Sequence, residues 1–359
     1  MRSLLVTIFA FSLLAAACSG KAADTITTTT TTVAPTTITT TTTTPPTTTT
    51  ESTTTTTVYD GPVAPLNGLP VDDETLVDRR GLAVKIDNHP AARPQSGLQE
   101  ADAVIELPVE GVTRFIALFN VGDSTYLGPI RSVRPSDVEL TKPLGGNLVI
   151  SGGSFWILNY VTSRGANLIS DSDRLHSLGA MFRISSRSAP HNLYGNSFEL
   201  RNYADSRGIP DTPPPNLFTW GPLKPDGPAE KITLFWSPRT VWTWDGEHYT
   251  RTSDGRPHEW LAKDGTTGPI TADTLVIIVA RRYTSHPAKP SDGKSVPAMD
   301  TVGSGRALVF AGGEVEEGTW SRDSIKEIFH LKRADGSTLT VPPGRPWISI
   351  FPDTLDIEW

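Results

Sequence analysis

The sequence predicts an α+β or α/β fold, with an N-terminal α/β sheet domain at residues 59–208 and a smaller, mostly β domain at residues 229–359. Three observations predict it. Strand–turn–helix units recur between residues 81 and 208, the pattern of a sheet covered by helices. Seven prolines fall within residues 209–228, from Pro210 to Pro228, which excludes regular structure over most of that stretch and marks it as a Pro-rich linker. Beyond it come short apolar runs separated by Asp-Gly turns, together with most of the nine tryptophans.

The first 58 residues have their own logic. Arg2 supplies a minimal positive start and residues 3–14 an apolar run of secretory length, shorter than the roughly 20 residues a bilayer-spanning helix needs. Residues 1–17 therefore read as a signal peptide. Leu14-Ala15-Ala16-Ala17-Cys18 resembles a bacterial lipobox, with Ala15 standing where leucine is usual. Cys18 is the only cysteine, so it is the expected lipidation site and no disulfide is available. The alternative is an ordinary secretory signal whose cysteine is incidental. Between Thr25 and Thr57, 24 of 33 residues are threonine, broken by Pro35, Pro45 and Pro46. With no apolar period, residues 18–58 form no core and are expected to be a disordered stalk behind the lipidated cysteine. At about 3 Å per residue, such a stalk reaches on the order of 100 Å.

Within the α/β part, residues 81–87 read as a short apolar strand ending at Asn88-His89-Pro90. Residues 103–109 and 112–120 are two strands joined tightly at Glu110-Gly111. Residues 136–144 read as a helix, with Pro135 close to its first position. Residues 147–151 are a strand, Gly152-Gly153 a turn and residues 154–163 a helix. In the β part, strands are expected at residues 232–235, 240–244, 275–279, 307–310, 338–341 and 347–351.

Charge narrows the partners. The chain has 32 basic and 39 acidic residues, a net charge of −7, and no basic run. That balance argues against nucleic acid and anionic lipid as ligands, and leaves the membrane reached through the lipid anchor only. The expected location is the outer face of the cytoplasmic membrane, held by a lipid on Cys18.

Several motifs occur together: Pro65-Leu-Asn-Gly-Leu-Pro70, Ala83-Val-Lys-Ile-Asp-Asn-His-Pro90, Ala92-Arg-Pro-Gln-Ser-Gly97 and Glu110-Gly-Val-Thr-Arg-Phe115. Gly128-Pro-Ile-Arg-Ser-Val-Arg-Pro135, Pro190-His-Asn-Leu-Tyr194, Gly318-Thr-Trp320 and Gly344-Arg-Pro-Trp347 join them. Across residues 64–352 the chain resembles the YerB-like lipoprotein family (domain of unknown function 3048, N- and C-terminal domains). The resemblance implies a two-domain lipoprotein of the bacterial envelope and implies no reaction.

The strongest chemical candidate is an anion site. Arg131 and Arg134 flank Ser132 just before a helix start, where backbone N–H groups and a partial positive charge are available. Guanidinium forks suit phosphate or carboxylate. Gly152 and Gly153 open the next helix at the carboxyl end of a strand, where ligands of open α/β sheets bind, and Arg93 could join them. A structural reading competes, in which these arginines pair with neighbouring carboxylates.

A carboxylate-based hydrolase of wall glycan is the alternative enzyme. Asp102, Glu106 and Glu110 alternate along one strand and share a face, as paired acid and base require. Arg114 on the next strand either faces Glu106 as an ion pair or points away, on a one-residue choice of register. His191 and His89 are candidate bases. With Asp87 they lack the spacing of a metal set, so no metal and no cofactor is expected. Trp236, Trp242 and Trp244 suit either sugar stacking or a β core. The expected ligand is a phosphate-bearing cell-wall polymer, its lipid-linked precursor, or a carboxylated peptide or glycan. A non-catalytic scaffold or regulator of an envelope enzyme, with an envelope protein as its partner, is the third reading.

Overall fold

The computed structural model describes residues 61–359. The expected signal peptide, the expected lipidation site Cys18 and the expected Thr-rich stalk lie outside the described residues. In the N-terminal half, β1 (Leu82–Ile86), β2 (Ala103–Pro108) and β3 (Thr113–Phe119) are buried along their whole length. Their near-continuous apolar runs fit a sheet covered on both faces. β3 lies between β2 and β1 and is antiparallel to both. After α1 (Pro135–Thr141), β4 (Asn147–Ile150) pairs parallel with β1. After α2 (Phe155–Ser163), β5 (Asn167–Ser170) pairs parallel with β4. α3 (Asp173–Ser177), the hairpin of β6 (Met181–Arg183) with β7 (Leu193–Gly195), and α4 (Ser197–Ser206) complete this half.

The C-terminal half is mostly strand and continues the same sheet. The strand Pro346–Pro352 pairs parallel with β2 on one side and with Thr274–Ala280 on the other. Gly303–Ala311 and Glu314–Arg322 extend it outward, and eleven strands belong to this one sheet. A second, six-stranded sheet contains Lys231–Leu234, Thr240–Trp244 and Tyr249–Ser253. Its inward residues Ile232, Trp242 and Tyr249 join Val84, Phe115, Leu308 and Trp347 in one apolar cluster. The opposite face of the main sheet buries Ala83, Leu148 and Ile278 beneath Val138 of α1 and Trp156 of α2.

The structure departs from the sequence-based expectations in a few places. The helix begun at Pro135 stops at Thr141 and tightens into the 3₁₀ turn Lys142–Leu144, because Pro143 has no N–H to donate. Residues 338–341 make only isolated bridges, Lys332 with Thr338 and Trp220 with Val341. Residues 210–226 are irregular, as their six prolines require, yet they are pinned to the sheet's flank. Leu217 N–H donates to the Pro65 carbonyl at 2.8 Å. Trp220 lies so close to Gly68 that a Cβ there would meet its ring at 2.6 Å. Trp242 and Trp347 pack edge to face with ring centroids 5.2 Å apart, and Trp236 is buried against Phe351. These rings are core, which removes them from any sugar-stacking surface.

Candidate functional site

The carboxyl ends of the parallel strands β1 and β4 open onto one polar centre. Directly after β1, Asp87 is 1% exposed. It is fixed from both sides by backbone: its own N–H donates to the Pro129 carbonyl at 2.9 Å, while its Oδ1 accepts from the His89 N–H at 3.1 Å. Its Oδ2 accepts from His191 Nδ1–H at 2.7 Å. Arg131 Nε lies 3.0 Å from that same oxygen, an ion-pair contact without hydrogen-bond alignment. The segment carrying Arg131 is strapped to β1 by Arg131 N–H donating to the Lys85 carbonyl at 2.8 Å. Ile130 N–H in turn donates to the Leu193 carbonyl at 2.7 Å, which brings the His191 loop alongside. Sequence segments 87–97, 128–135 and 190–194 therefore meet at one place.

Three guanidinium groups converge here. Arg114 stands at the start of β3, beside the end of β1 through the Ile86–Phe115 register. It is 6% exposed and donates once, from Nη1 to the Ser132 carbonyl at 2.9 Å, while its Nε has no partner. Among the described residues no carboxylate forms an ion pair with it. Burial and the neighbouring charges of Arg134 and Arg131 pull its pKa down to about 10, against the opposing pull of Asp87 and Glu110. Arg131 makes no side-chain hydrogen bond among the described residues. Arg134 holds the hairpin-tip carboxylate of Glu110 through Nε at 2.8 Å, and its Nη1 donates to the Val133 carbonyl. Two carboxylates thus face three arginines, and a buried cation without a counter-charge is energetically costly.

Other groups line this centre. Ser132 and Ser151 hydroxyls are 3.4 Å apart. Gly152, with φ +121°, has no heavy atom within 4 Å of the position a Cβ would take, so the backbone there is open to approach. Gly153 has a different reason: a Cβ would sit 2.9 Å from Val133 Cγ1, so the residue is small to pack. At the end of β5, Asp171 accepts from His176 and from Arg183, both at 2.6 Å. Arg183 also donates to Asn192, next to His191, at 3.0 Å.

Several expected site residues stand elsewhere. The helix start at Pro135 offers no free anion cradle, because Asp137 fills it. That carboxylate accepts the Arg134 N–H at 2.7 Å and pairs with the fully buried Lys85 at 2.6 Å. Burial lowers the Lys85 pKa to about 8 against the opposing pull of Asp137. Arg93 is held by Asn88, donating to its side chain and its carbonyl at 3.0 and 3.2 Å.

The three carboxylates do not form an acid–base pair. Asp102 is buried and accepts the N–H groups of Asn120 and Gly122, its pKa raised by burial against those bonds. Glu110 sits at the exposed hairpin tip on Arg134. Glu106 is fully buried. It accepts from Thr113 at 2.6 Å, Arg251 at 2.7 Å and Trp347 Nε1 at 2.8 Å. Register decides its partner: Glu106 is opposite Phe115, and Arg114 is opposite Leu107, so Arg114 faces the other way. Arg251 from the C-terminal half replaces it. From Arg251 the network runs to His258, whose Nε2–H donates to Gln95 Oε1 at 2.7 Å, and Gln95 Nε2 donates to the Asp87 carbonyl at 2.9 Å. A buried polar chain thus joins the second sheet to the strand end that carries Asp87.

Arg114 enters the sequence reasoning only as a partner for Glu106, and Asp87 only as a metal ligand. The available signal was position: Asp87 directly follows an apolar strand, at the strand end where α/β sheets bind ligands. Among the described residues no group of three His, Cys, Asp or Glu is arranged to hold a metal ion.

Comparison with known proteins agrees with the two-part organisation. Residues 66–210 match the family model "Protein of unknown function (DUF3048) N-terminal domain", and residues 232–348 match its "C-terminal domain". A relative named "Putative lipoprotein YerB", from Bacillus subtilis (strain 168), is 32% identical over 301 residues, covering 81% of this chain and 86% of the relative. The crystal structure of the YerB protein from Bacillus subtilis superposes with a TM-score of 0.68 at 26% identity, covering 83% of this chain and 99% of that one.

Proposed function

Because this chain belongs to the DUF3048 family, one of whose members carries a lipoprotein name, we propose that it is a lipid-anchored envelope protein that binds an anionic wall component. The anchor is the lipid on Cys18, at the outer face of the cytoplasmic membrane, with the Thr-rich stalk holding the folded part away from it. The ligand is a phosphate-bearing cell-wall polymer or its lipid-linked precursor. It sits against Arg114, Arg131 and Arg134, near the Ser132 and Ser151 hydroxyls, and approaches the backbone at Gly152.

One observation carries this reading. Among the described residues Arg114 is buried with one carbonyl partner and no ion pair, beside Arg131, whose guanidinium donates no hydrogen bond to any of them. A bound anion would supply the missing counter-charge, and charge-assisted bonds from guanidinium to phosphate are about twice as strong as neutral ones. Isothermal titration with soluble phosphate-bearing wall fragments tests it. Saturable binding in the wild type and none in Arg131→Ala/Arg134→Ala is the expected result. Equal binding in both proteins would remove the site from consideration.

A further inference from the structure

We propose that this centre does more than hold its ligand: His191 acts as a general base, and the site hydrolyses a phosphodiester. The inference rests on the anion-binding reading above and adds a reaction to it.

The partners of the two histidines fix their tautomers. A carboxylate only accepts, so the 2.7 Å contact between His191 Nδ1 and Asp87 Oδ2 places the ring proton on Nδ1. In the neutral imidazole that leaves a lone pair on His191 Nε2. A backbone N–H only donates, so the 3.1 Å bond from Ala91 N–H to His89 Nδ1 places the His89 ring proton on Nε2. The two rings stack with centroids 4.8 Å apart and planes 17° apart. One imidazole thus offers a base at Nε2 and its neighbour offers a donor at Nε2. Neither Nε2 has a hydrogen-bond partner among the described residues. His191 is partly exposed and His89 is exposed, so water and substrate can reach both.

The substrate class follows from where the arginines stand. Arg131 and His191 touch the same oxygen of Asp87, so guanidinium and base lie side by side. A base in that position acts on the group the guanidinium binds, not on an atom several bonds away. In a phosphodiester the anionic centre and the reacting centre are the same phosphorus. In an ester that merely carries a carboxylate they are separate. The arrangement therefore suits the phosphodiester.

The step balances without a further reagent. A water oxygen attacks phosphorus while His191 Nε2 takes its proton, and Asp87 stabilises the imidazolium that results. Arg131 and Arg114 hold the charge on the non-bridging oxygens, and His89 Nε2–H donates to one of them. The bond from phosphorus to the ester oxygen breaks, and the leaving oxygen departs with the electron pair and is protonated by solvent. His191 returns its proton to solvent. The products are a phosphomonoester and an alcohol.

The test uses the full chain with two probes, bis(p-nitrophenyl) phosphate for turnover and inorganic phosphate for binding. The wild type should release p-nitrophenolate, and His191→Ala should lower kcat by about 10²–10⁴-fold, the span of general-base catalysis, with phosphate affinity unchanged. His191→Asn keeps a donor for Asp87 but has no base, and serves as the second variant should the alanine protein melt early. His89→Ala should lower kcat by about tenfold, the worth of one hydrogen bond. Phosphate binding without turnover, or turnover equal in wild type and His191→Asn, overturns the reaction and leaves the anion site standing. Absence of phosphate binding overturns both.

Discussion

His191 donates its Nδ1–H to Asp87 at 2.7 Å across 104 residues of sequence. The same carboxylate oxygen is the one Arg131 approaches. A single buried side chain at the end of β1 therefore orients an imidazole and a guanidinium together. It can do so because its other oxygen and its own backbone N–H are engaged with His89 and Pro129.

That arrangement has a spectroscopic consequence. Long-range ¹H–¹⁵N correlation of the neutral rings should show His191 protonated at Nδ1 and His89 at Nε2, two opposite tautomers in stacked rings. Arg131→Ala should leave both unchanged. An Nε2-protonated His191 would contradict the orientation by Asp87.

The Glu106–Arg251 pair joins the two halves inside the core, with both side chains fully buried. Removing one partner of such a pair leaves an uncompensated buried charge, at a cost of about 3–5 kcal/mol. Glu106→Gln should accordingly lower the unfolding free energy by that amount, read as a lower urea midpoint at an unchanged slope. A shift below 1 kcal/mol would mean that Arg251 finds another partner.

Much of the fold was legible in the sequence, for identifiable reasons. β1, β2, β3 and β4 announce themselves as near-continuous apolar runs, each carrying only one or two polar residues, and the Pro-rich stretch cannot form regular structure over most of its length. The nine-residue strand Glu314–Arg322 was hidden because Glu314, Glu316 and Glu317 interrupt its apolar residues. Residues 338–341 look like a strand by composition but lack a partner along their length. The candidate site was legible only in part. Arg131, Arg134, His191 and Gly152 stand at it, whereas Glu106 turned out to belong to the core. The turning point is one residue of register between β2 and β3, which composition does not encode. Nor does any local pattern reveal that Arg251, 145 residues away, is the partner of Glu106.

His258 predicts a pH dependence. It is buried between Gln95 and Arg251, and burial together with the positive charges of Arg251 and Arg93 holds its pKa well below the usual 6.5. Below about pH 6.5 the unfolded chain binds a proton at this residue that the folded protein does not, so stability falls as pH falls. The loss amounts to at most about 1.4 kcal/mol per pH unit from this group. Thermal melts from pH 7.5 to 5.5 should show the decline in the wild type and a shallower one in His258→Gln. Parallel curves would assign the effect to other groups.

The measurement closest to the central claim is thermal unfolding of the wild type and Arg114→Met with and without inorganic phosphate. A buried, unpaired guanidinium exchanged for an apolar side chain of similar length should leave phosphate-free stability equal or higher. Phosphate at one hundred times its Kd should stabilise the wild type by about 2.7 kcal/mol and the variant hardly at all. A strongly destabilised Arg114→Met that keeps the full phosphate response would show that Arg114 serves the fold and that the anion, if bound, lies elsewhere.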